Sequence, residues 1–196
     1  MSMSTQRVCV GGLIALALII CFCRPSFAEK NWAVSVYWAR LTDGGLGKAL
    51  FFDTSFENSQ LLDVALSRKL YRLRDLIDFE VEGQVVRHFQ DQDHWEFNAL
   101  IVARWLPFPW DRYLDTSFAV GEGLSYATEI SEIEGKRHDK TSKLLNYLMF
   151  EFEFTLPRLP DWSLLTRIHH RSGVFGLFDG VRGASNACGV GLRYRF

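Results

Sequence analysis

Residues 144–156 read LLNYLMFEFEFTL, and the second half of this stretch decides the fold. Apolar side chains stand at every second position from Leu148 to Leu156, and Glu151 and Glu153 lie between them. Successive side chains of an extended strand point to opposite faces. The stretch therefore predicts a β-strand with one apolar face and one charged face.

The same alternation recurs through the rest of the chain. From Ile77 to Val85, apolar residues and glycine alternate with acidic and amide side chains, and from Trp95 to Ala103 the pattern repeats. Residues 46–56 fit either a strand extension or a loop. The whole chain predicts eight strands of about ten residues, at 32–41, 61–73, 77–85, 95–103, 116–128, 144–156, 162–172 and 185–196.

The composition fits one folded domain. The chain has 196 residues, of which 48% are hydrophobic and 23% are charged, with a formal net charge of −1. This balance excludes a disordered chain and argues against a nucleic-acid-binding protein.

The first 28 residues have the pattern of an export signal. Arg7 precedes the uncharged apolar stretch 8–23, and Ser26-Phe27-Ala28 offers small residues at the positions that a signal peptidase reads. We expect residues 1–28 to be cleaved, which leaves 29–196 as the mature domain; the alternative is a retained membrane anchor. Of the four cysteines only Cys188 lies beyond the signal, so an intramolecular disulfide is excluded there.

The charged faces decide between two kinds of β protein. Alternation alone also fits a soluble sandwich or a lipocalin-like barrel, with the apolar face inward. The acidic and basic side chains can pair only if their faces meet, as they do inside a small barrel. This predicts an eight-stranded antiparallel barrel of the outer-membrane type, apolar outside and filled by ion pairs inside; the residues expected to pair are Glu80, Glu82, Glu96, Glu151 and Glu153 with Arg167, Arg193 and Arg195.

Two further patterns favour a membrane barrel. Tryptophans stand near the ends of the predicted strands, as an aromatic girdle requires. The chain also ends on a strand, with Val190, Leu192, Tyr194 and Phe196 at alternate positions. That ending resembles the C-terminal signature of bacterial outer-membrane barrels, which implies that the assembly machinery reads Phe196.

Three polar residues interrupt the predicted apolar wall near the C-terminus. His170 and Ser172 fall on the outward face of strand 162–172, and Asn186 falls on the outward face of the last strand. A hydroxyl nucleophile, an imidazole base and an orienting amide are the parts that an acyl-transfer site needs.

With these residues, the chain resembles the PagL-type lipid A deacylases. The resemblance rests on the export signal, the eight-stranded architecture and His170-Arg171-Ser172 in the penultimate strand. It implies that Ser172 is the nucleophile and His170 the general base in hydrolysis of an ester-linked acyl chain of lipid A.

The chain departs from that family at two positions. Gly173 stands where the family motif has an asparagine, so we expect the backbone N–H groups of Gly173 and its neighbours to bind the oxyanion. Asn186 stands where the family has a glutamate and is the expected orienter of His170, with Asp179 as the alternative. A substrate with phosphates makes Arg171 and Arg182 candidate binding residues.

The resulting hypothesis is an outer-membrane esterase that acts on lipid A, or lipopolysaccharide, at its lipid-facing surface. The motifs imply no metal and no cofactor, and no nucleic-acid partner. The alternative is a noncatalytic barrel with an adhesion, assembly or envelope-stabilising role. The sequence leaves open whether two barrels form a homodimer.

Overall fold

The chain folds into a closed barrel of eight antiparallel strands, each paired with its neighbour in sequence, while the last strand pairs with the first. The computed structural model describes residues 30–51, 53–130 and 140–196, so the predicted export signal lies outside the described residues. The strands are β1 (Trp32–Thr42), β2 (Phe56–Leu73), β3 (Ile77–Gln90), β4 (Trp95–Trp105), β5 (Asp115–Ala127), β6 (Leu144–Thr155), β7 (Trp162–Ser172) and β8 (Ala184–Arg195).

The eight predicted strands are confirmed, and their bounds differ most in β3 and β2. β3 runs to Gln90, five residues past its predicted end. β2 begins at Phe56, five residues before its predicted start. Before it, the ambiguous stretch forms a short helix, α1 (Leu46–Leu50). Within the described ranges, no helix is long and apolar enough to cross a membrane.

The two ends of the barrel differ in their connections. One end, called here the loop rim, carries the segments 43–55, 91–94, 128–143 and 173–183. The other end, the turn rim, carries the segments 74–76, 106–114 and 156–161. Residues 131–139 of the third loop-rim segment lie outside the described part of the chain.

The outer wall is apolar, as the alternation predicts. Ile101 near the centre of β4 is 65% exposed, and Leu164 and Leu192 on β7 and β8 are 51% and 54% exposed. The six tryptophans are all 39–48% exposed, and Trp162 packs against Tyr194 at the turn rim. An apolar wall with aromatic residues toward its edges is the surface that a bilayer requires of a barrel.

Ion pairs fill the lumen toward the turn rim. Arg104 lies 2.9 Å from Glu80, 2.8 Å from Glu151 and 2.8 Å from Glu153. Arg167 bridges Glu82, at 2.8 Å, and Glu151. The predicted meeting of the charged faces is thus confirmed, and Arg104 joins the basic residues expected from the sequence. Each of these two buried arginines has carboxylate partners, which offsets the cost of removing its charge from water.

A second polar layer fills the lumen nearer the loop rim. His169 points inward, as its position predicts, and its Nδ1 lies 2.9 Å from the Tyr37 hydroxyl. Its Nε2 lies 3.0 Å from Glu96, which also contacts His88 at 2.9 Å. Tyr37 and Tyr147 are almost fully buried beside these groups. In the described part of the chain the lumen is therefore filled by side chains.

Candidate active site on the outer wall

His170, Ser172 and Asn186 lie together on the outer wall at the loop rim. The even-numbered residues of β7 and β8 point outward, and the two strands pair His170 directly with Asn186. Ser172 follows His170 on the same face. The structure thus brings the three sequence-predicted residues onto one surface patch.

The imidazole of His170 is held by the side chain of Asn186. His170 Nδ1 lies 2.7 Å from Asn186 Oδ1, and Asn186 Nδ2 donates to the carbonyl oxygen of Gly44 at 2.8 Å. Because a carbonyl only accepts, the Gly44 contact fixes which end of the amide is nitrogen. Asn186 Oδ1 must then accept a hydrogen bond from Nδ1–H, so the neutral ring keeps its lone pair on Nε2. This is the tautomer that a general base needs.

Ser172 completes the patch without a partner for its hydroxyl. It is half-buried, and among the described residues its side chain makes no hydrogen bond. Alternate residues of a strand are about 6.6 Å apart along the chain, so a Ser172–His170 hydrogen bond requires the two side chains to lean toward each other. Such contacts are often long before substrate binds and tighten in the reacting complex.

Helix α1 covers this part of the wall. Ala49 is fully buried against Ile168 and Cys188, with Leu46 and Phe150 packed around them. The Ala49 carbonyl lies 3.9 Å from Cys188 Sγ. A small residue at the contact point lets the helix backbone approach the barrel closely. His170 is consequently only 7% exposed although it points away from the lumen.

Two further polar residues on the outer wall border Ser172. Asn146 of β6 pairs directly with Ser172, and its Nδ2 donates to the Glu122 carboxylate and, at 3.2 Å, to the carbonyl of Gly123. Glu122 on β5 is exposed. Sequence reasoning missed both residues, although their even-numbered positions among apolar neighbours carried the same signal as His170 and Ser172.

The structure corrects the roles predicted for Arg171 and Gly173. Arg171 points into the lumen and is buried, with its Nε donating to Ser125 Oγ at 2.8 Å. A residue between two outward-facing neighbours must face inward, so the prediction that Arg171 binds substrate is wrong. The Gly173 N–H donates to the carbonyl of Gly183 at 3.1 Å. This amide extends the β7–β8 pairing, so the oxyanion prediction is wrong for the N–H of Gly173 itself.

The other two predicted residues lie in the segment 173–183. Asp179 is exposed and accepts a hydrogen bond from Ser142 Oγ. Asn186, and not Asp179, holds His170. Arg182 is also exposed and passes beside Gly176.

The backbone immediately after Ser172 is strained. Val174 and Phe175 have φ values of 45° and 56°, a region that β-branched and bulky residues rarely adopt. Within the described ranges, neither of their backbone N–H groups donates a hydrogen bond to another residue. Two amide donors thus lie two and three residues beyond the candidate nucleophile.

An apolar groove adjoins the patch on its lower side. Its volume is about 340 Å³, and its lining residues come from β1, β2, β7 and β8. Cys188, Thr166 and Trp38 are among its lining residues. Arg40 also lines the groove; its guanidinium donates to the Glu57 carbonyl at 3.1 Å and lies over the Phe56 ring.

Solved structures of other proteins share the fold. The outer membrane enzyme PagL is 11% identical, with a TM-score of 0.54 over 82% of this chain and 97% of that chain. Neisserial surface protein A (NspA) is 13% identical, with a TM-score of 0.54 over 87% of this chain and all of that chain. No protein-family model and no curated protein matches the chain.

The closed barrel and its apolar outer wall define the class of protein: an eight-stranded β-barrel of the outer-membrane type. The two similar structures have equal TM-scores, and one is described as an enzyme and the other as a surface protein. The shared fold therefore leaves catalysis to be argued from the site.

Proposed function

We propose that the protein is an outer-membrane esterase that removes an ester-linked acyl chain from lipid A. The observation that carries the proposal is the Gly44–Asn186–His170 chain of hydrogen bonds on the outer wall. It leaves His170 Nε2 unprotonated on the face that also carries Ser172. A buried histidine held in this tautomer, on the same face as a serine hydroxyl, supplies what a general base requires.

The three residues take the roles that a nucleophile, a general base and an orienting group have in other serine hydrolases. Ser172 Oγ attacks the ester carbonyl carbon while His170 Nε2 takes the hydroxyl proton. Collapse of the tetrahedral intermediate breaks the bond to the alcohol oxygen, and the imidazolium returns the proton to that oxygen. Water, activated by His170, then releases the fatty acid from Ser172. Asn186 holds the ring through both proton transfers.

The Val174 and Phe175 amides are the proposed oxyanion donors in place of Gly173. They are the nearest backbone N–H groups beyond Ser172 that lack an acceptor in the described part of the chain. Donors fixed by the backbone need no reorganisation as negative charge develops on the carbonyl oxygen. The strained φ values keep these amides out of the regular strand pairing.

The position of the site suits a membrane lipid as substrate. A lipid in the surrounding leaflet reaches the outer wall by lateral diffusion, and the groove beside Cys188 has the apolar surface that an acyl chain prefers. Arg40 at the groove and Arg182 near the loop rim are the proposed partners of lipid A phosphates. Arg40 retains a buried Nε that makes no hydrogen bond with the described residues.

The test is mass spectrometry of lipid A from cells that express the wild type, Ser172→Ala or Ser35→Ala. Ser35 is buried in the lumen, far from the proposed chemistry, and serves as the matched control. The proposal predicts loss of one acyl chain with the wild type and Ser35→Ala, and intact lipid A with Ser172→Ala. Each barrel must be shown to be folded, by its altered migration on unheated gels.

The opposite outcome favours the noncatalytic alternative. If folded wild-type protein leaves lipid A fully acylated, the barrel is a surface or envelope-stabilising protein, and His170 and Asn186 serve only to fasten helix α1 to the wall.

A further inference from the structure

A cluster of two histidines and a glutamate lies inside the barrel at the loop rim, whereas His170 lies on the outer wall. His88 of β3 and His94, in the segment before β4, face each other across the hairpin, with the His88 N–H donating to the His94 carbonyl at 3.0 Å. Glu96 follows on the same inward face of β4. All three residues are buried.

The donor atoms of this cluster are already close. One donor atom from each residue lies within 4.8 Å of the other two. The imidazole rings of His88 and His94 are stacked, with centroids 4.2 Å apart and planes inclined by 14°. A tetrahedral zinc ion holds such donors about 3.3 Å apart. Rotation of the rings about their soft terminal torsions can close the difference.

The hydrogen bonding of the cluster is incomplete. His88 Nδ1 and His94 Nε2 are buried, and neither has a hydrogen-bond partner among the described residues. Buried nitrogens of this kind are unfavourable unless something binds them. Glu96 Oε1 is engaged by Ser125 and His169. Its Oε2 lies 2.9 Å from His88 Nε2 and 3.8 Å from Arg171 Nε.

The segment that carries His94 is held at its start by two side-chain hydrogen bonds. Gln92 Nε2 donates to Ser59 Oγ at 3.0 Å, and Asn58 Nδ2 donates to Asp91 Oδ1 at 3.1 Å. These contacts tie the segment to β2. A small cavity of about 10 Å³ adjoins His88 and is also lined by Gln92, His169 and Arg171. It has room for about one water molecule.

We propose that His88, His94 and Glu96 bind a divalent transition-metal ion of the zinc type, with a water molecule as the fourth ligand. Two imidazoles and one carboxylate are a ligand set that zinc uses, and imidazole selects zinc, nickel or copper over magnesium or calcium. The ion coordinates buried imidazole nitrogens that otherwise have no partner among the described residues. It also links β3 to the start of β4 at the loop rim. Its binding stabilises the folded barrel, because the unfolded chain does not hold the three donors together.

The test uses the untagged full barrel, folded in detergent micelles and stripped with a chelator. Co²⁺ is the probe, since a tetrahedral Co²⁺ site absorbs visible light, and Zn²⁺ is used for the thermal measurements. The wild type is expected to bind one Co²⁺ and to melt at a higher temperature with Zn²⁺. His94→Gln is expected to weaken Co²⁺ binding at least tenfold and to abolish the Zn²⁺-dependent shift, and His88→Gln is the second variant.

Two matched controls separate this site from other histidines. His170→Gln, on the outer wall, and His138→Gln, outside the described residues, are expected to bind Co²⁺ as the wild type does. The proposal is overturned if the wild type binds no Co²⁺, or if His94→Gln and His88→Gln bind it as tightly as the wild type. His170→Gln removes the proposed general base and is expected to leave Co²⁺ binding unchanged. A barrel without esterase activity can therefore still bind Co²⁺, and a barrel that binds no Co²⁺ can still be an esterase, so the two proposals fail separately.

Discussion

His170 Nδ1–H donates a hydrogen bond to Asn186 Oδ1, with 2.7 Å between the two atoms, on the outside of a β-barrel. The amide is itself oriented by the Gly44 carbonyl, at 2.8 Å. Asn186→Ala removes this control of the tautomer, and we expect the rate of ester hydrolysis to fall about 100-fold. A wrong tautomer in a serine protease costs about 10⁴ in turnover, which sets the upper scale.

The measurement is the initial rate on a chromogenic ester in micelles, with Asn58→Ala as the control. Asn58 pairs with Asp91 near the same rim on another part of the barrel, so its loss is expected to leave the rate unchanged. An Asn186→Ala barrel as active as the wild type would remove Asn186 from the mechanism.

Loss of a lumen carboxylate should destabilise the barrel strongly. Glu151 contacts Arg104 and Arg167, and its replacement by glutamine leaves these buried guanidinium groups short of a partner. We expect Glu151→Gln to lower the free energy of unfolding by about 3–5 kcal/mol. Asp93→Asn breaks the ion pair with Arg87, and the Asp93 side chain is 80% exposed. We expect this substitution to lower the free energy of unfolding by at most about 1 kcal/mol. Urea unfolding in micelles compares the two, and equal losses would contradict the buried network.

The free-energy cost of a charged side chain on the outer wall should increase with its depth in the bilayer. Ile101 lies near the middle of β4 and is 65% exposed, whereas Tyr126 lies at the loop-rim end of β5. Arginine at position 101 is expected to cost about 2–4 kcal/mol, and at position 126 about 0–1 kcal/mol. Urea-dependent folding into lipid vesicles measures both. A wall that faces water would show no such difference.

Helix α1 should shield Cys188 from reagents. Ala49 is fully buried against Cys188, so Ala49→Trp cannot be accommodated without displacing the helix. We expect maleimide to label Cys188 at least tenfold faster in Ala49→Trp than in the wild type. Lys48→Trp, on the exposed side of the helix, is expected to label slowly. Fast labelling of the wild type would show that the helix does not cover the wall.

Period-two alternation predicted most of the barrel because each strand has one lipid face and one lumen face. The bounds of β7 follow directly from it. The same rule places His169 inside the barrel, and it places Arg171 there too, against the substrate-binding role that its charge suggests. Arg104 obeys the rule as well.

The contacts that complete the candidate site could not be predicted in this way. The Gly44 carbonyl reaches Asn186 from 142 positions away in the chain, and α1 packs on the outer wall through Ala49, against Ile168 and Cys188. His88 and His94 meet across a hairpin whose register fixes their distance. Alternation predicts which face of the barrel a side chain lies on, but it does not predict the path of a loop or the partner of a backbone amide. The Gly173 N–H is an example, because it donates to the Gly183 carbonyl.

The central claim is that Ser172 is a nucleophile activated by His170, and the most direct measurement is covalent labelling by a lipid-like fluorophosphonate. Intact-protein and peptide mass spectrometry of the folded barrel locate and time the adduct. The account predicts one adduct on Ser172 in the wild type, none in Ser172→Ala, and at least tenfold slower labelling in His170→Gln. An unlabelled Ser172 in folded wild-type protein, or equal rates in His170→Gln and the wild type, would contradict it.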